Sequence, residues 1–455
     1  MMHTLPLSFA LLTYTGYWRP VGWPLTSIKY RAYNVYSVVM IFLLHSFTFC
    51  GLVDCFLIED LETFIEKFSL FLSVLGVCCK VMNLVIRRNE IVGLIEMLLK
   101  DICLPRDNHE VDIQQRFDRT AKCVIFRLDH KERKKKESSK RNQEYLFRTI
   151  TIYCEILNES AVFFATVAQF GHFANTHTLP LSDWVPYDTT STAVYWATVL
   201  HQTIGLMVCA NASVAHETLI SGFMIQTCAQ LDILCHRARM LPDSLRKEAE
   251  KWRGNVSKED LKAHERRVIR EFVHHHRYVY RLAERINSVF ALMIFVQFTV
   301  SSTVLCLSIY KMSTKSLLSF EFVWSLSYLG CMLMQIYLYC WFGNEVTLKS
   351  AEVGTAVYEM DWTSFPVDLM KSLLLVAARS KKAIRITSGN IIALSNDSFM
   401  KVNENAVSRT RYNIVSEEMR NDLETHIFLW FADSHNILIS VLSDHQDILL
   451  GVQRP

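Results

Sequence analysis

Glycine and proline are scarce in this chain of 455 residues, with 14 and 9 copies, which argues against disorder and against a sheet-rich fold. The 13 cysteines form no C-x-x-C pair of pairs and no zinc spacing. Most of them sit inside apolar runs, as Cys50, Cys209, Cys306, Cys331 and Cys340 do. They read there as small side chains facing lipid or other helices. A net charge of only +3 gives no reason to propose nucleic acid. No phosphate loop, nucleophile elbow or hydride-cofactor fingerprint occurs, so nothing argues for an enzyme or a cofactor. A cleavable signal peptide is not expected, because Met1 to Ala10 lacks a basic start.

What the sequence does have is long runs without charge. Charged residues make up 20% of the chain but are clustered, and between the clusters lie apolar stretches of the length that a bilayer demands. Six segments read as spans. The first, Asn34 to Val53, holds His45 and no Asp, Glu, Lys or Arg. The second, Phe68 to Ile86, carries Lys80 close to its basic end, from which a lysine can snorkel. The third, Thr149 to Phe170, carries Glu155 and Glu159. The others are Thr192 to Ala215, Asn287 to Ile309 and Phe322 to Phe342.

Basic residues in the connections give the orientation. Arg19, Lys29 and Arg31 precede the first span, whereas Glu59, Asp60 and Glu62 follow it. The next connection holds roughly fifteen Lys and Arg, including "HKERKKKESSKR" from His130 to Arg141. Residues 171–191 hold none, the connection after the fourth span holds about fourteen, and the one after the fifth holds only Lys311 and Lys315. Basic and non-basic connections alternate throughout, which puts the amino terminus and the region after Phe342 in the cytoplasm.

Two cytoplasmic stretches, Ser221 to Leu241 and Ala263 to Ile286, have apolar residues at helical spacing. They are expected to extend the fourth and fifth spans below the bilayer and pack together, separated by a polar loop from Asp243 to Asp260. His274, His275 and His276 are consecutive, so on a helix they point about 100° apart and cannot share one metal ion. "AHETL" at Ala215 to Leu219 lacks the second histidine of a zinc-protease motif, since Ile220 stands in its place. Glu155 and Glu159 share a helix face. They are either functional carboxylates or groups near water or a basic partner such as Lys80. The basic cluster reads as a topology-enforcing loop, with contact to anionic membrane lipid as the alternative.

Aromatic residues crowd the outer halves of the spans. Phe68 and Phe71 lie in the second, Phe163 and Phe164 in the third, Tyr195 and Trp196 in the fourth, and Phe322, Trp324 and Tyr328 in the sixth. They form either an interfacial belt or an apolar pocket for a small lipophilic ligand.

From Ala263 to Val402 the sequence resembles the insect odorant receptor family. The resemblance is carried by "VHHHRYVYRLAERINSVFALMIFVQF" and "YLYCWFGNEVTLKSAEVGTAVYEMDW". Within the latter, Gly343, Glu345, Ser350, Ala356, Tyr358 and Trp362 match the family pattern. "LLLVAARSKKAIRITSG" follows with Arg379 and Ser380 in place, and Ala383 stands where the family usually has proline. "ALSNDSF" resembles the start of the family's last helix, and Lys80 and "IRRNEIVGLIEMLL" extend the likeness toward the amino terminus.

The resemblance implies an all-α polytopic membrane protein with six clear transmembrane helices and a partial seventh, a cytoplasmic amino terminus and a cytoplasmic helical anchor. It implies a divergent tuning subunit, and not the shared co-receptor. Such a subunit assembles with the odorant co-receptor as a heterotetrameric, odorant-gated, non-selective cation channel in the plasma membrane of an olfactory neuron dendrite. A small volatile ligand would bind at Phe71, Phe163, Phe164, Tyr195, Trp196, Trp324 and Tyr328. Gly343, Glu345, Ser350, Tyr358 and Trp362 would belong to the subunit anchor. The expected divisions are 1–33, the amino terminus; 34–86, spans one and two; 87–148, a basic loop with an insertion at 122–143; and 149–220, spans three and four. They continue as 221–286, anchor helices; 287–342, spans five and six; 343–402, anchor segment and start of span seven; and 403–455, an atypical polar tail.

The insertion and the tail depart from the family. "NENAVSRTRYNIVSEEMRNDLETH", from Asn403 to His426, is too charged to cross a membrane, and Ile427 to Leu442 is short and interrupted by Asp433 and His435. Both departures read as intron-derived or alternatively spliced sequence, an expectation that transcript sequencing tests. A G-protein-coupled receptor is an alternative, opposed by the loop charges and by the lack of Asp-Arg-Tyr and Asn-Pro-x-x-Tyr motifs. A gustatory-type receptor is another; its terminal signature is missing here.

Overall fold

The computed structural model describes residues 5–24, 26–122, 179, 182–251, 258–314, 320–362, 365–389 and 391–401. The third span with Glu155, Glu159, Phe163 and Phe164, the basic insertion and the tail lie outside the described residues.

The described chain is helical apart from one two-stranded hairpin. Helix α1 (Pro6–Tyr14) opens with proline at its first position and buries Leu5, Phe9 and Leu12, the i, i+4, i+7 stripe of one face. α2 (Ile28–Leu57) is capped by Ser27, and α3 (Leu61–Ile86) by Asp60, whose carboxylate accepts from the Thr63 amide at 2.8 Å. α4 (Arg88–Leu98), a short 3-10 turn (Asp101–Cys103) and α5 (Asn108–Lys122) follow. The long helices are α6 (Thr192–Lys251), α7 (Lys258–Thr314) and α8 (Phe320–Tyr358). α9 (Val367–Ser380) and the antiparallel hairpin β1 (Thr387–Ser388) and β2 (Ile392–Ala393) lead to the first turn of a last helix at residues 396–401.

Four described helices are long and apolar enough to cross a membrane, within Ile28–Leu57, Thr63–Ile86, Thr192–Lys247 and Glu259–Met312. The sixth expected span lies in α8, where several side chains of the first turns lie outside the described residues. Its run is diluted by Ser325, Ser327, Tyr328, Gln335, Tyr337 and Tyr339, polar-tipped residues suited to a helix packed among other helices. On α2, by contrast, Val35, Val38, Val39, Phe42, Phe49 and Phe56 are exposed, an apolar face that lipid would cover.

Two expectations are corrected, and one boundary is sharpened. The basic connection after the second span is not a plain loop, because α4 buries Ile91, Leu94, Ile95 and Leu98 and α5 packs on α6. The polar loop expected from Asp243 to Asp260 is helical as far as Lys251 despite Pro242, and helix resumes at Lys258. The apolar run ends at Gly343 but α8 does not break there; it continues unbroken to Tyr358. Gly343 and Asn344 stand where a helix commonly ends, but Gly343 here serves a close approach to Leu394 and the helix runs on.

The largest core lies where the lower halves of α6, α7 and α8 meet α1, α4 and α9. It contains Phe223, Leu231, Leu234, Val279, Phe290, Ile336, Tyr339 and Leu373. The fourth and fifth spans do continue into packed helices as expected, since α6 and α7 are each uninterrupted from the apolar run into this core.

Candidate functional site

Three groups of residues stand in line down the bundle. Near the end of α3 that follows the acidic connection, Phe64 stacks on Phe68 with ring centroids 5.2 Å apart, and Phe68 lies 6.4 Å from buried Phe71. One and two turns on, the α3 backbone and side chains meet α8. The Tyr328 hydroxyl contacts the Ser73 hydroxyl and donates to the Ser69 carbonyl at 3.2 Å. Phe71 lies two residues from each of Ser69 and Ser73, about 200° around the helix, so this contact does not bring it to Tyr328. Among the described contacts Tyr195 and Trp196 lie elsewhere. They pair edge-on with each other at 5.4 Å, in a separate cluster with Leu179, Val185 and Val199. Trp324 lies on the first turns of α8, its side chain outside the described residues.

The segment bearing Leu179 is pinned from below. Asp54 of α2 accepts from the amides of Asp183 and Trp184, each at 3.2 Å, and faces Lys67 at 3.5 Å, while Lys67 reaches Asp183 at 2.6 Å. Ser182 donates to the Cys50 carbonyl at 3.0 Å. These bonds fix residues 182–184 over the ends of α2, α3 and α6.

The second group corrects the reading of Lys80. It does not snorkel, for it is only 3% exposed. Its ammonium donates to Glu217 and to Ser213 of α6, each at 2.8 Å, and Ser213 donates to the same Glu217 oxygen at 2.9 Å. The direction of its α3 face explains this: Ser69, Ser73, Lys80 and Asn83 lie at helical spacing and all point into the bundle. Lys80 therefore pairs within the bundle, with a carboxylate that lies just past the apolar run of the fourth span. Next to Glu217, His216 is wholly buried edge-on to Phe290, and both its ring nitrogens are without a hydrogen bond. Between α7 and α8, Gln297 donates to Gln335 at 2.6 Å and to Ser301 at 2.8 Å.

The third group is the region expected to form the anchor. At Gly343 a Cβ would stand 2.5 Å from that of Leu394, so only glycine lets α8 meet the approach to the last helix this closely. Ser350 accepts from the Ile384 amide at 2.8 Å and donates to the Thr347 carbonyl at 2.8 Å. Lys349 binds Asp232 of α6 at 3.2 Å and Glu352 at 3.2 Å. Burial, opposed by the Lys349 charge, raises the Glu345 pKa above the ordinary carboxylate value. Tyr358 is 79% exposed, and its carbonyl accepts from the Trp362 indole at 3.0 Å. Asn287 of α7 holds Thr387, accepting from its amide at 2.7 Å, and Gly389, at φ +59°, donates to the Ala291 carbonyl at 2.8 Å. The hairpin is thereby fastened to α7.

The three histidines face different partners. His275 lies 3.1 Å from Arg237 and 3.3 Å from Gln230. A guanidinium can only donate, so Nδ1 accepts from Arg237 and Nε2 carries the proton toward Gln230. His276 lies 3.3 Å from the Ser380 hydroxyl, and burial together with the Arg379 charge lowers its pKa to about 4. His274 is exposed. Arg237 also binds Glu110 at 2.7 Å and the Ile102 and Leu104 carbonyls, tying α5 and the 3-10 turn to α6.

Sequence reasoning missed Glu217, Arg237 and Glu110. A usable signal existed only for Glu110: it stands three residues after Asp107, whose carboxylate caps α5, and it accepts from the Arg106 amide at 2.7 Å.

Comparison with known proteins gives this architecture a family. The family model described as "7tm Odorant receptor" matches residues 60–407. Odorant receptor 46a, isoform A, of Drosophila melanogaster is 24% identical over 279 residues, 59% of this chain and 68% of that protein. Odorant receptor 94a of the same species is 23% identical over 52% of this chain and 58% of its own length. For putative odorant receptor 92a the match covers 50% of that protein, so the chain spans about half to two thirds of these relatives. The solved olfactory receptor OR5 from Machilis hrabei shares the fold. Its TM-score is 0.70 at 14% identity, covering 89% of this chain and 96% of that one. Its complex with eugenol also gives 0.70, covering 90% and 97%. With three quarters of its length matched by one family model, the chain belongs to the 7tm odorant receptor family.

Proposed function

We propose that this receptor is the ligand-selective subunit of an odorant-gated, non-selective cation channel, assembled with the shared co-receptor in the plasma membrane of a sensory neuron. The α3–α8 contact at Tyr328, Ser69 and Ser73, on the turns of α3 that also carry Phe68 and Phe71, is the observation that carries the ligand site. Hydroxyl groups and aromatic rings on the same turns are the mixture that orients a small, mostly apolar molecule. That a phenol, eugenol, occupies the Machilis receptor supports the same class of ligand here. Phe163, Phe164, Tyr195, Trp196 and Trp324 belong to the ligand-binding set in this reading. The charge alternation of the connections supports a cytoplasmic amino terminus, which opposes a G-protein-coupled mechanism.

Ligand binding acts by population shift: the occupied site favours the conducting arrangement over the closed one. Within the anchor, Gly343, Glu345 and Ser350 hold this chain's own segments together, and Tyr358 and Trp362 meet the neighbouring subunit around the last helices, which form the gate. Exposed Tyr358 is available for such a contact.

The test is recording from cells that co-express this chain and the co-receptor, challenged with a panel of volatile alcohols, phenols and esters. A ligand-evoked cation current is expected, with Tyr328→Phe shifting the half-effective concentration of the hydroxyl-bearing ligands most. Full surface delivery without any ligand-evoked current, or a Tyr328→Phe response identical across the panel, overturns the reading.

A further inference from the structure

Arg19 and Arg88 meet at the end of the bundle opposite the aromatic site, where α1, α2, α3 and α4 come together. Arg88 donates to the Arg19 carbonyl at 2.8 Å, and its guanidinium lies 5.2 Å from the Trp18 ring. Arg19 donates to Asn34 at 2.6 Å and lies over the Tyr30 ring at 3.9 Å. Each planar fork has five N–H donors, and these contacts leave most of them unused. Among the described residues neither guanidinium pairs with a carboxylate. The acidic residue of this turn, Glu90, faces Arg87 at 3.9 Å. The surroundings add further positive charge through exposed Lys29 and Arg31. Burial and the nearby Arg19 charge both lower the Arg88 pKa, as expected for two cations held together without a counter-ion.

Two partly buried guanidinia close enough for their charges to oppose each other are unfavourable unless an anion joins them.

The surroundings specify the source of the anion. Asn34 begins the first apolar run and Ile86 ends the second, so Arg19 and Arg88 lie level with the membrane boundary on both strokes of the hairpin. Around them Ile28, Val35 and Ile86 are exposed by 85%, 65% and 72%, while Trp23, Tyr33 and Tyr36 form an aromatic cluster of the kind that lies at headgroup level. A free ion needs no apolar rim, whereas a lipid brings acyl chains to cover one.

We propose that Arg19 and Arg88 form a binding site for the phosphate of an anionic phospholipid headgroup, with the acyl chains lying along the exposed face of α2. Arginine forks suit phosphate oxygens. An anionic headgroup is favoured over a choline headgroup because the latter would bring its own cation beside Lys29 and Arg31.

The experiment is native mass spectrometry of the purified full chain in neutral detergent, with phosphatidylglycerol or phosphatidylcholine added, and with inorganic phosphate as competitor. One tightly held phosphatidylglycerol is expected, preferred over phosphatidylcholine and not displaced by millimolar phosphate. R19Q/R88Q should weaken its binding about thirtyfold, the equivalent of two basic contacts at about 1 kcal/mol each. K29Q/R31Q should weaken it far less. Equal retention of the two lipids by the unmodified protein, which needs no variant to fold, overturns the proposal. So do equal losses in the two double variants, which would mean diffuse attraction to a basic surface. Displacement by phosphate alone would make the site one for a free anion and also refute it. If R19Q/R88Q does not purify as a folded species, Arg88→Lys decides: it keeps the charge, loses the fork and must still lower phosphatidylglycerol retention.

Discussion

Removing the Glu217 carboxylate should be among the most damaging single changes in the bundle, and removing Lys80 with it should undo most of the damage. The two groups are 2.8 Å apart, with side chains 4% and 5% exposed. Glu217→Leu leaves the Lys80 ammonium buried with only the Ser213 hydroxyl as a neighbour from this triad. Breaking a buried pair in this way costs about 3–5 kcal/mol, whereas replacing both members by apolar residues of similar volume is close to neutral. Against a total stability of about 5–15 kcal/mol, the single variant should lose a large part of its folded population. Glu217→Gln keeps an acceptor and should fall between. The assay is thermal unfolding of the purified full chain in detergent, comparing Glu217→Leu, Lys80→Met and the double variant as a cycle. The expected interaction term is large and of the sign that makes the double variant milder than the sum of the singles. Strict additivity, or a Glu217→Leu protein that melts with the wild type, would show that the pair contributes nothing and refute the reasoning.

Gly343→Ala should destabilise the approach to the last helix by about 1–3 kcal/mol, because its Cβ would press on Leu394 at 2.5 Å; hydrogen exchange of residues 391–401 reads this directly. Asp54→Ala removes the acceptor of two amides and a partner of Lys67, so residues 182–191 should become the first site of proteolytic nicking, at a cost of about 1–3 kcal/mol. The anchor should weaken in acid. The folded pKa of His276, about 4, lies below its ordinary 6.5, so the unfolded chain takes up the proton first. Stability is then level above pH 6.5 and falls between 6.5 and 4 by up to about 1.4 kcal/mol per pH unit. Melting temperatures of the wild type and His276→Gln over that range should converge at low pH if this holds; parallel curves would exclude His276 as the cause.

The first, second, fourth and fifth spans were legible because a bilayer imposes length and freedom from charge, and both are properties of a single run of sequence. The packed extensions of α6 and α7 were legible for a related reason, since Phe272, Val279 and Leu282 recur at helical spacing. Partners were not legible. Lys80 and Glu217 are 137 residues apart, and nothing in either neighbourhood says that the two faces meet. A lysine near the basic end of a span has two outcomes, a water-seeking stem or a buried pair, and hydropathy is the same for both. The aromatic residues divided for the same reason. Tyr328 points from α8 to α3, whereas Tyr195 points to Leu179, a difference set by helix rotation and not by residue type. Helix α4 escaped notice because its four buried residues follow Arg87 and Arg88 at the head of a long basic connection that read as loop.

The geometry constrains how ligand energy can reach a gate. A ligand of about ten heavy atoms supplies only a few kcal/mol of differential binding, too little to melt and rebuild structure along the way. α8 avoids that need. It is one unbroken helix from Tyr328, in the proposed ligand site, to Gly343, whose missing side chain lets it touch Leu394 before the last helix. That is fifteen residues, about 22 Å of continuous rod. α3 is fastened to it at Tyr328 and to α6 at Glu217, so the helices beside the proposed site are held together by a few polar contacts in an otherwise apolar bundle. Such contacts favour two discrete arrangements over a continuum, because a buried hydroxyl or ammonium is costly at every position between partners. A small shift of α8 against α3 therefore has few places to stop. The proposed gate would respond to which of those places the ligand favours.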